Sequence, residues 1–241
     1  MCRSGSTWLY NAVRLLAKHA RVSGLAAGWI TDRKKLLAHK NTVIKIHEFD
    51  AALASPKNVI LTSHRDLRDV AASLSRIFKM VFSIDALRAT VAAHDKWSRV
   101  ADFELHYEDL LGDQMRELQR LARALRLPDA VVRRIDLPQV LEELSREKFT
   151  EERSTRQRFD SVNLLHDGHI TDGRHGSWEG ILSAEAVGSI EREFRPWLEK
   201  RGYLVRAPLR ERARWRLQFV FGQFQRNVNT VNERQRQQAQ S

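Results

Sequence analysis

The chain begins with small and hydroxylated residues beside an arginine, a composition typical of loops that bind phosphate. The run is Arg3-Ser4-Gly5-Ser6-Thr7-Trp8, and apolar residues at helical spacing follow it to about Ala20. Backbone N–H groups of such a loop can turn inward, and the following helix N-terminus adds unpaired N–H groups and a positive dipole end. Since Arg3 adds a formal charge, the run predicts an anion site.

A second pair of residues predicts another phosphate site. Arg65 follows the apolar run Val59–Thr62, and Ser73 lies eight residues later, about two turns into the next predicted helix. Arginine offers forked donors that suit phosphate, and a serine hydroxyl can donate beside them. Two such sites would suit a nucleotide phosphorylated at both ends of its ribose. The first loop lacks the Gly-Lys-Ser/Thr of triphosphate-binding loops, and no residue is an obvious Mg²⁺ ligand.

The elements that must position these residues alternate between strand and helix along the chain. Predicted strands are Thr42–Ile46, Val59–Thr62 and Phe103–Tyr107. Predicted helices are Thr7–Ala20, Asp69–Phe82, Ile84–Val100, Gln114–Leu125, Pro128–Arg146 and a last one that follows Ser183, its predicted N-cap, and ends at about Arg201. This order predicts an α/β domain with a mostly parallel sheet flanked by helices. Lys45, His47, Arg65 and Tyr107 fall at or just beyond strand ends, where such sheets bind ligands.

Charge and cysteine content restrict the class of protein. Forty-one Lys and Arg against 30 Asp and Glu give the 241 residues a net charge of +11. This charge favours anionic partners such as nucleotides, nucleic acid or lipid surfaces, although a basic surface without a specific partner fits equally well. The single cysteine, Cys2, excludes an internal disulfide and fits a reducing compartment. With no run of about 18 apolar residues, we expect a cytoplasmic protein.

The C-terminal part divides into a polar loop, a helix and a basic tail. Glu147–Ser177 has little apolar periodicity, and loops of this length are often functional. We expect a main domain at 1–208 and an appended segment at 209–241, in which apolar residues of 209–228 form one helical face among arginines. That face either packs on the domain or lies on an anionic membrane as a peripheral contact.

Five motifs in order make the chain resemble the sulfotransferases that use 3′-phosphoadenosine-5′-phosphosulfate (PAPS), in their bacterial form. The likeness covers residues 1 to about 203. The motifs are the 5′-phosphosulfate loop at 3–8, Lys45-Ile46-His47-Glu48, the 3′-phosphate motif from Arg65 to Ser73, Tyr107-Glu108-Asp109-Leu110, and Gly173-Arg174-His175-Gly176-Ser177-Trp178. The resemblance implies the P-loop NTPase-like sulfotransferase fold.

The resemblance also implies a metal-independent reaction and a role for each matching residue. His47 would be the general base, and Arg3 and Lys45 would face the charge on the transferred sulfuryl group. The remaining residues would bind the donor PAPS and the product PAP: Ser4, Gly5, Ser6 and Thr7 at the 5′-phosphate, Trp8 and Tyr107 at the adenine, and Arg65, Ser73, Gly173 and Arg174 at the 3′-phosphate.

The chain departs from the family pattern at several positions. Cys2 replaces a proline, and Thr171-Asp172 stands where Arg-Lys is expected, with Arg174 as the nearest replacement. Phe149 is the candidate for a second aromatic at the adenine. No sequence before residue 1 supplies the central strand that carries the loop, so we expect a fold that lacks this strand and a start at Met1 that is misassigned or truncated.

Two other functions remain open at this point. A P-loop-type small-molecule kinase would also use an anion loop, and a non-catalytic module could bind nucleotide, RNA or anionic lipid through the basic surface. For the sulfotransferase we expect an acceptor hydroxyl on a polar or anionic compound, such as a glycan or glycolipid, and no nucleic acid partner. The oligomeric state does not follow from the sequence.

Overall fold

The computed structural model describes residues 1–78, 83–154, 159–167 and 173–204 and has an α/β fold, as predicted. Within these residues four strands form two parallel pairs, and helices flank them. The elements in chain order are α1 Ser6–His19, β1 Leu25–Trp29, α2 Arg33–Leu36, β2 Asn41–Lys45, β3 Leu61–His64, α3 Leu67–Phe78, α4 Ile84–Ser98, β4 Phe103–His106, α5 Tyr107–Gly112, α6 Gln114–Ala124, α7 Asp129–Val132, α8 Leu137–Arg146 and α9 Ala184–Lys200.

Helix α1 carries the first loop and lies in the main hydrophobic core. Its buried residues Leu9, Ala12 and Leu16 recur at helical spacing and pack in one cluster with residues of α6 and α8, among them Leu118. The predicted helix is confirmed because this periodicity is strong. The loop that precedes α1 is therefore fixed to the core of the protein.

The parallel pairing brings the carboxyl ends of neighbouring strands together. In the first pair Trp29 of β1 lies opposite Lys45 of β2, and in the second pair His64 of β3 lies opposite His106 of β4. The residues at and just after these ends therefore lie at one edge of each pair. Strand β1 was not predicted, because its sequence Leu-Ala-Ala-Gly-Trp contains no β-branched residue.

The predicted helix Pro128–Arg146 is wrong as a single element. Helix α7 ends at Val132, and α8 begins at Leu137 with Pro138 in its first turn. Asp136 caps α8 by accepting a hydrogen bond from the N–H of Gln139 at 3.0 Å. Since proline has no N–H and is favoured in the first turn of a helix, Pro138 fits the start of α8 and not the interior of one helix over 128–146.

The described parts of the polar stretch Glu147–Ser177 have a defined conformation without long elements. Asp160 accepts hydrogen bonds from the N–H groups of Val162 at 2.8 Å and Asn163 at 3.1 Å. The carbonyl of Asn163 then accepts a bond from the buried Asn11 side chain of α1 at 2.8 Å. Residues 160–163 are thus fastened to the helix that follows the anion loop.

The chain divides into two compact units, Met1–Glu193 and Phe194–Ser241. Helix α9 is kinked at Phe194, two residues before Pro196. In the second unit the rings of Trp197 and Tyr203 stack at 5.9 Å. The predicted segment 209–241 and its amphipathic face lie outside the described residues. None of the described helices is both long and apolar enough to cross a membrane.

Candidate active site

The first loop has the backbone of an anion-binding turn. Arg3 and Gly5 both have left-handed backbone conformations, with φ of 55° and 81°. Where right-handed and left-handed residues alternate along the backbone, successive N–H groups point to the same side. Helix α1 then begins with no side chain capping its first turn and no acidic residue there. The N–H groups at this helix start therefore remain suited to an anion, which distinguishes the loop from an ordinary capped helix.

Gly5 is required at its position for two reasons. Its φ of 81° is a conformation that residues with a side chain rarely adopt, and a Cβ there would lie 3.1 Å from Cδ2 of Tyr107. The loop therefore runs closely past Tyr107, the first residue of α5. Two predicted parts of the site, separated by about a hundred residues in sequence, are in contact.

The side chain of Ser4 is directed into the protein instead of toward a ligand. It is fully buried, its Oγ donates to the carbonyl of Met1 at 2.7 Å, and it lies 2.7 Å from Oγ of Ser63 in β3. Ser4 therefore joins the loop to β3 and offers a ligand only its backbone. Ser6 and Thr7, the next hydroxyl residues, line the cavity described below.

Lys45 places a buried ammonium group beside the start of α1. It ends β2 and donates a hydrogen bond to Oγ1 of Thr7. Burial, together with repulsion from Arg3, lowers the pKa of Lys45 to about 7. The charged form is therefore poorly stabilised by the protein alone, and an anion close to Nζ would favour it.

Arg3 joins the two predicted phosphate sites. Its Nε donates to Oγ of Ser73 in α3 at 3.0 Å, across 70 residues of sequence. Burial also lowers the pKa of Arg3. One hydrogen bond thus connects the first loop to the predicted site at Arg65 and Ser73.

Arg65 is the main cation of the second site. It is 4% exposed, and its guanidinium lies 4.2 Å from the ring centroid of Tyr107. It donates to the carbonyl of Arg174, while its Nε is buried without a hydrogen-bond partner in the described part of the chain. A buried donor of this kind is normally satisfied by a ligand or water.

The late segment covers this part of the site through its backbone. The hydroxyl of Tyr107 donates to the carbonyl of Gly173 at 2.9 Å, and Arg174 presents its carbonyl to Arg65. The structure therefore brings Gly173 and Arg174 to the second site. The phosphate-binding role predicted for the Arg174 side chain stays a prediction.

His47 lies just after β2 with an aromatic neighbour that the sequence did not suggest. The rings of His47 and Trp29 meet edge-on with centroids 5.1 Å apart, and Nζ of Lys45 lies 5.6 Å from the Trp29 ring centroid. Trp29 ends β1, the strand missed from the sequence. No local pattern marks a single tryptophan after Gly28 as a site residue.

One cavity of about 1110 Å³ contains most of the predicted site. Of the predicted residues, Ser4 and Arg174 are outside its lining, and those inside it are Arg3, Gly5, Ser6, Thr7, Trp8, Lys45, His47, Arg65, Ser73, Tyr107 and Gly173. Phe149, the candidate second aromatic, also lines it, as do Leu74 and Ile77 of α3. This volume is slightly above the range of about 300–1,000 Å³ that is typical of ligand pockets.

No group of His, Cys, Asp or Glu among the described residues has the arrangement of a metal site. The ring centroids of the fully buried His64 and the half-buried His106 are 3.9 Å apart, and these histidines end β3 and β4, one residue before Arg65 and Tyr107. Neither histidine lines the cavity.

No protein-family model and no curated protein matches the sequence. The structure, in contrast, is similar to the crystal structure of mouse sulfotransferase SULT7A1 complexed with PAP, with a TM-score of 0.55 and 13% sequence identity. That likeness covers 81% of this chain and 80% of that chain. The chain has the sulfotransferase fold. At this identity the likeness establishes architecture alone.

Proposed function

We propose that the protein is a sulfotransferase that transfers the sulfuryl group of PAPS to an acceptor hydroxyl. The observation that carries the proposal is the single cavity that joins an anion loop, a second cationic site and a histidine. The hydrogen bond of 3.0 Å between Arg3 and Ser73 connects the two anion sites, which supports one doubly phosphorylated nucleotide bound across both. The fold shared with a PAP-bound sulfotransferase supports the same donor.

The donor would lie across the loop with its ribose phosphates at the two sites. The backbone of Ser4 and Gly5, with Ser6 and Thr7, would hold the 5′-phosphate, because these residues lead into the uncapped first turn of α1. Arg65 and Ser73 would hold the 3′-phosphate, with the 173–174 backbone alongside. Trp8, Tyr107 and Phe149 line the same cavity and offer aromatic faces for adenine.

The reaction would be an in-line displacement at sulfur. The acceptor oxygen forms a bond to sulfur, the bond from sulfur to the 5′-phosphate oxygen breaks, and PAP leaves with the electron pair. His47 would take the acceptor proton, since the pKa of an ordinary histidine lies near neutrality. Arg3 and Lys45 would stabilise the negative charge that develops on the bridging and sulfuryl oxygens.

The acceptor that fits best is a polar compound rich in hydroxyl groups, such as a glycan or glycolipid. The part of the cavity formed by the polar stretch includes Glu151, Ser154, His166 and Asp167, which offer hydrogen bonds. A diffusible nucleotide donor and a single cysteine fit a cytoplasmic enzyme. The proposal includes no binding to nucleic acid, and for residues 209–228 it keeps both alternatives, packing on the domain or a peripheral contact with an anionic membrane.

Two experiments test the proposal. Titration calorimetry measures PAP binding, and transfer assays with labelled PAPS then screen a panel of glycan, glycolipid and aryl acceptors. His47→Ala should lower turnover by about 10²–10⁴-fold and leave PAP binding intact. His39→Ala, at an exposed position, is the matched control and should have wild-type turnover. EDTA should not affect the rate, in contrast to a Mg²⁺-dependent kinase. A folded protein that binds no PAP at high micromolar concentration would refute the proposal.

A further inference from the structure

The side chain of Asp69 is buried against the late segment 173–178. Asp69 is fully buried in the first turn of α3. Its carboxylate accepts hydrogen bonds from the N–H of Gly176 at 2.8 Å, the hydroxyl of Ser177 at 3.1 Å and the N–H of Trp178 at 3.1 Å. Three donors from successive residues converge on one carboxylate, and such charge-assisted bonds are stronger than neutral ones.

The position of Asp69 connects that contact to the donor site. It lies four residues after Arg65 and four before Ser73, so the three side chains lie along one side of the chain as it enters α3. Its Oδ2 is 3.7 Å from the Arg65 guanidinium. A buried carboxylate would repel phosphate, so Asp69 is suited to hold protein groups in place and not to bind the nucleotide.

Other contacts show that the segment is fixed as a unit. Arg76 of α3 donates to Oγ of Ser177 at 3.1 Å, and the guanidinium of Arg68 lies 4.5 Å from the Trp178 ring centroid. At its other end the segment contacts the site, where Gly173 and Arg174 accept the bonds from Tyr107 and Arg65 described above. The carboxylate therefore fastens one end of a segment whose other end contacts the cation of the second site.

We propose that Asp69 is a positioning residue that holds segment 173–178 against Arg65 and thereby sets the affinity for the 3′-phosphate of the donor. This inference rests on the proposed function. Because it acts through the segment, its loss should affect nucleotides that carry a 3′-phosphate and spare those that do not. The ratio of the two affinities is a readout that a general loss of stability would not change.

The test compares PAP with adenosine 5′-monophosphate by titration calorimetry, using competition for the weaker ligand. Asp69→Asn should weaken PAP by about tenfold or more, as expected for lost charge-assisted bonds, and change the monophosphate by less than about twofold. Ser177→Ala removes one of the three donors and should shift the ratio in the same direction by a smaller factor. Asp113→Asn is the matched control, since Asp113 caps α6 by accepting from the N–H of Arg116 at 2.9 Å and does not line the cavity.

The inference is overturned if the ratio of PAP affinity to monophosphate affinity is unchanged in both Asp69→Asn and Ser177→Ala. An equal loss of affinity for both nucleotides is such a result. If Asp69→Asn does not fold, Ser177→Ala alone decides between these outcomes. A wild-type protein that binds PAP no better than the monophosphate would instead refute the proposed donor, and this result is visible before any variant is made.

Discussion

Lys45 makes donor binding depend on pH in a way that the structure predicts. Its ammonium is buried beside Arg3, and its pKa is lowered to about 7. A bound 5′-phosphosulfate or 5′-phosphate would place negative charge near Nζ and return the pKa toward its ordinary value. The donor therefore binds the protonated form more tightly, and binding near neutral pH should take up a proton.

The size of the effect follows from the pKa of the free protein. Below pH 7 Lys45 is already charged, so the affinity for PAP is at its maximum. Above pH 7 a growing fraction of the protein has a neutral Lys45 that must be protonated on binding, so the affinity falls as pH rises. Between pH 6 and pH 8 the affinity for PAP should fall by about tenfold, provided that the pKa in the complex lies well above 8. At pH 7 binding should take up about half a proton.

Calorimetry of PAP binding in buffers with different ionisation enthalpies measures both quantities. Lys45→Arg is the matched control, because arginine stays charged over this range. The phosphate groups of PAP, with a pKa of about 6, are the same in both experiments, so the difference between the two pH profiles isolates Lys45. If wild type and Lys45→Arg show the same pH dependence and proton uptake, the reasoning about this lysine is wrong.

Three further substitutions test the loop, the adenine site and the core. Gly5→Ala should lower the urea unfolding free energy by about 1–2 kcal/mol, because of the positive φ of Gly5 and its contact with Tyr107. In the control Gly180→Ala no atom lies within 4 Å of the added Cβ, so its unfolding free energy should change by less than about 0.5 kcal/mol. Equal effects would contradict the argument. Trp8→Ala should weaken PAP binding, measured by calorimetry, by about 1–3 kcal/mol, and Trp8→Phe, which keeps a ring, should retain most of the affinity. An unchanged Kd for Trp8→Ala would remove Trp8 from the adenine site. Leu118 is fully buried in the cluster that contains α1, so Leu118→Ala should lower the urea unfolding free energy by about 2–5 kcal/mol with little change in PAP affinity. A loss below about 1 kcal/mol would show that the core collapses into the space left by the side chain.

Strong local patterns made much of the fold predictable. The apolar spacing of α1 and the alternation of Phe103–Tyr107 identify their elements within a residue or two. The serine before α9 also behaves as predicted, since Ser183 Oγ accepts from the N–H of Ala186 at 3.2 Å. Where a local signal is weak, as in β1, or is overridden by a proline, as at Pro138, the prediction failed.

The sequence by itself determined the candidate chemistry: an anion loop at Arg3–Thr7, a second cationic site at Arg65 and Ser73, and a histidine after a strand. These depend on residue type and on neighbours a few positions away, which is all that local conformation requires. Only the tertiary structure decided that Ser4 faces the interior, that Lys45 is buried, and that Asp69 accepts hydrogen bonds from a segment more than a hundred residues later. Burial and hydrogen-bond partners across such separations depend on how the elements pack, and no local pattern encodes them.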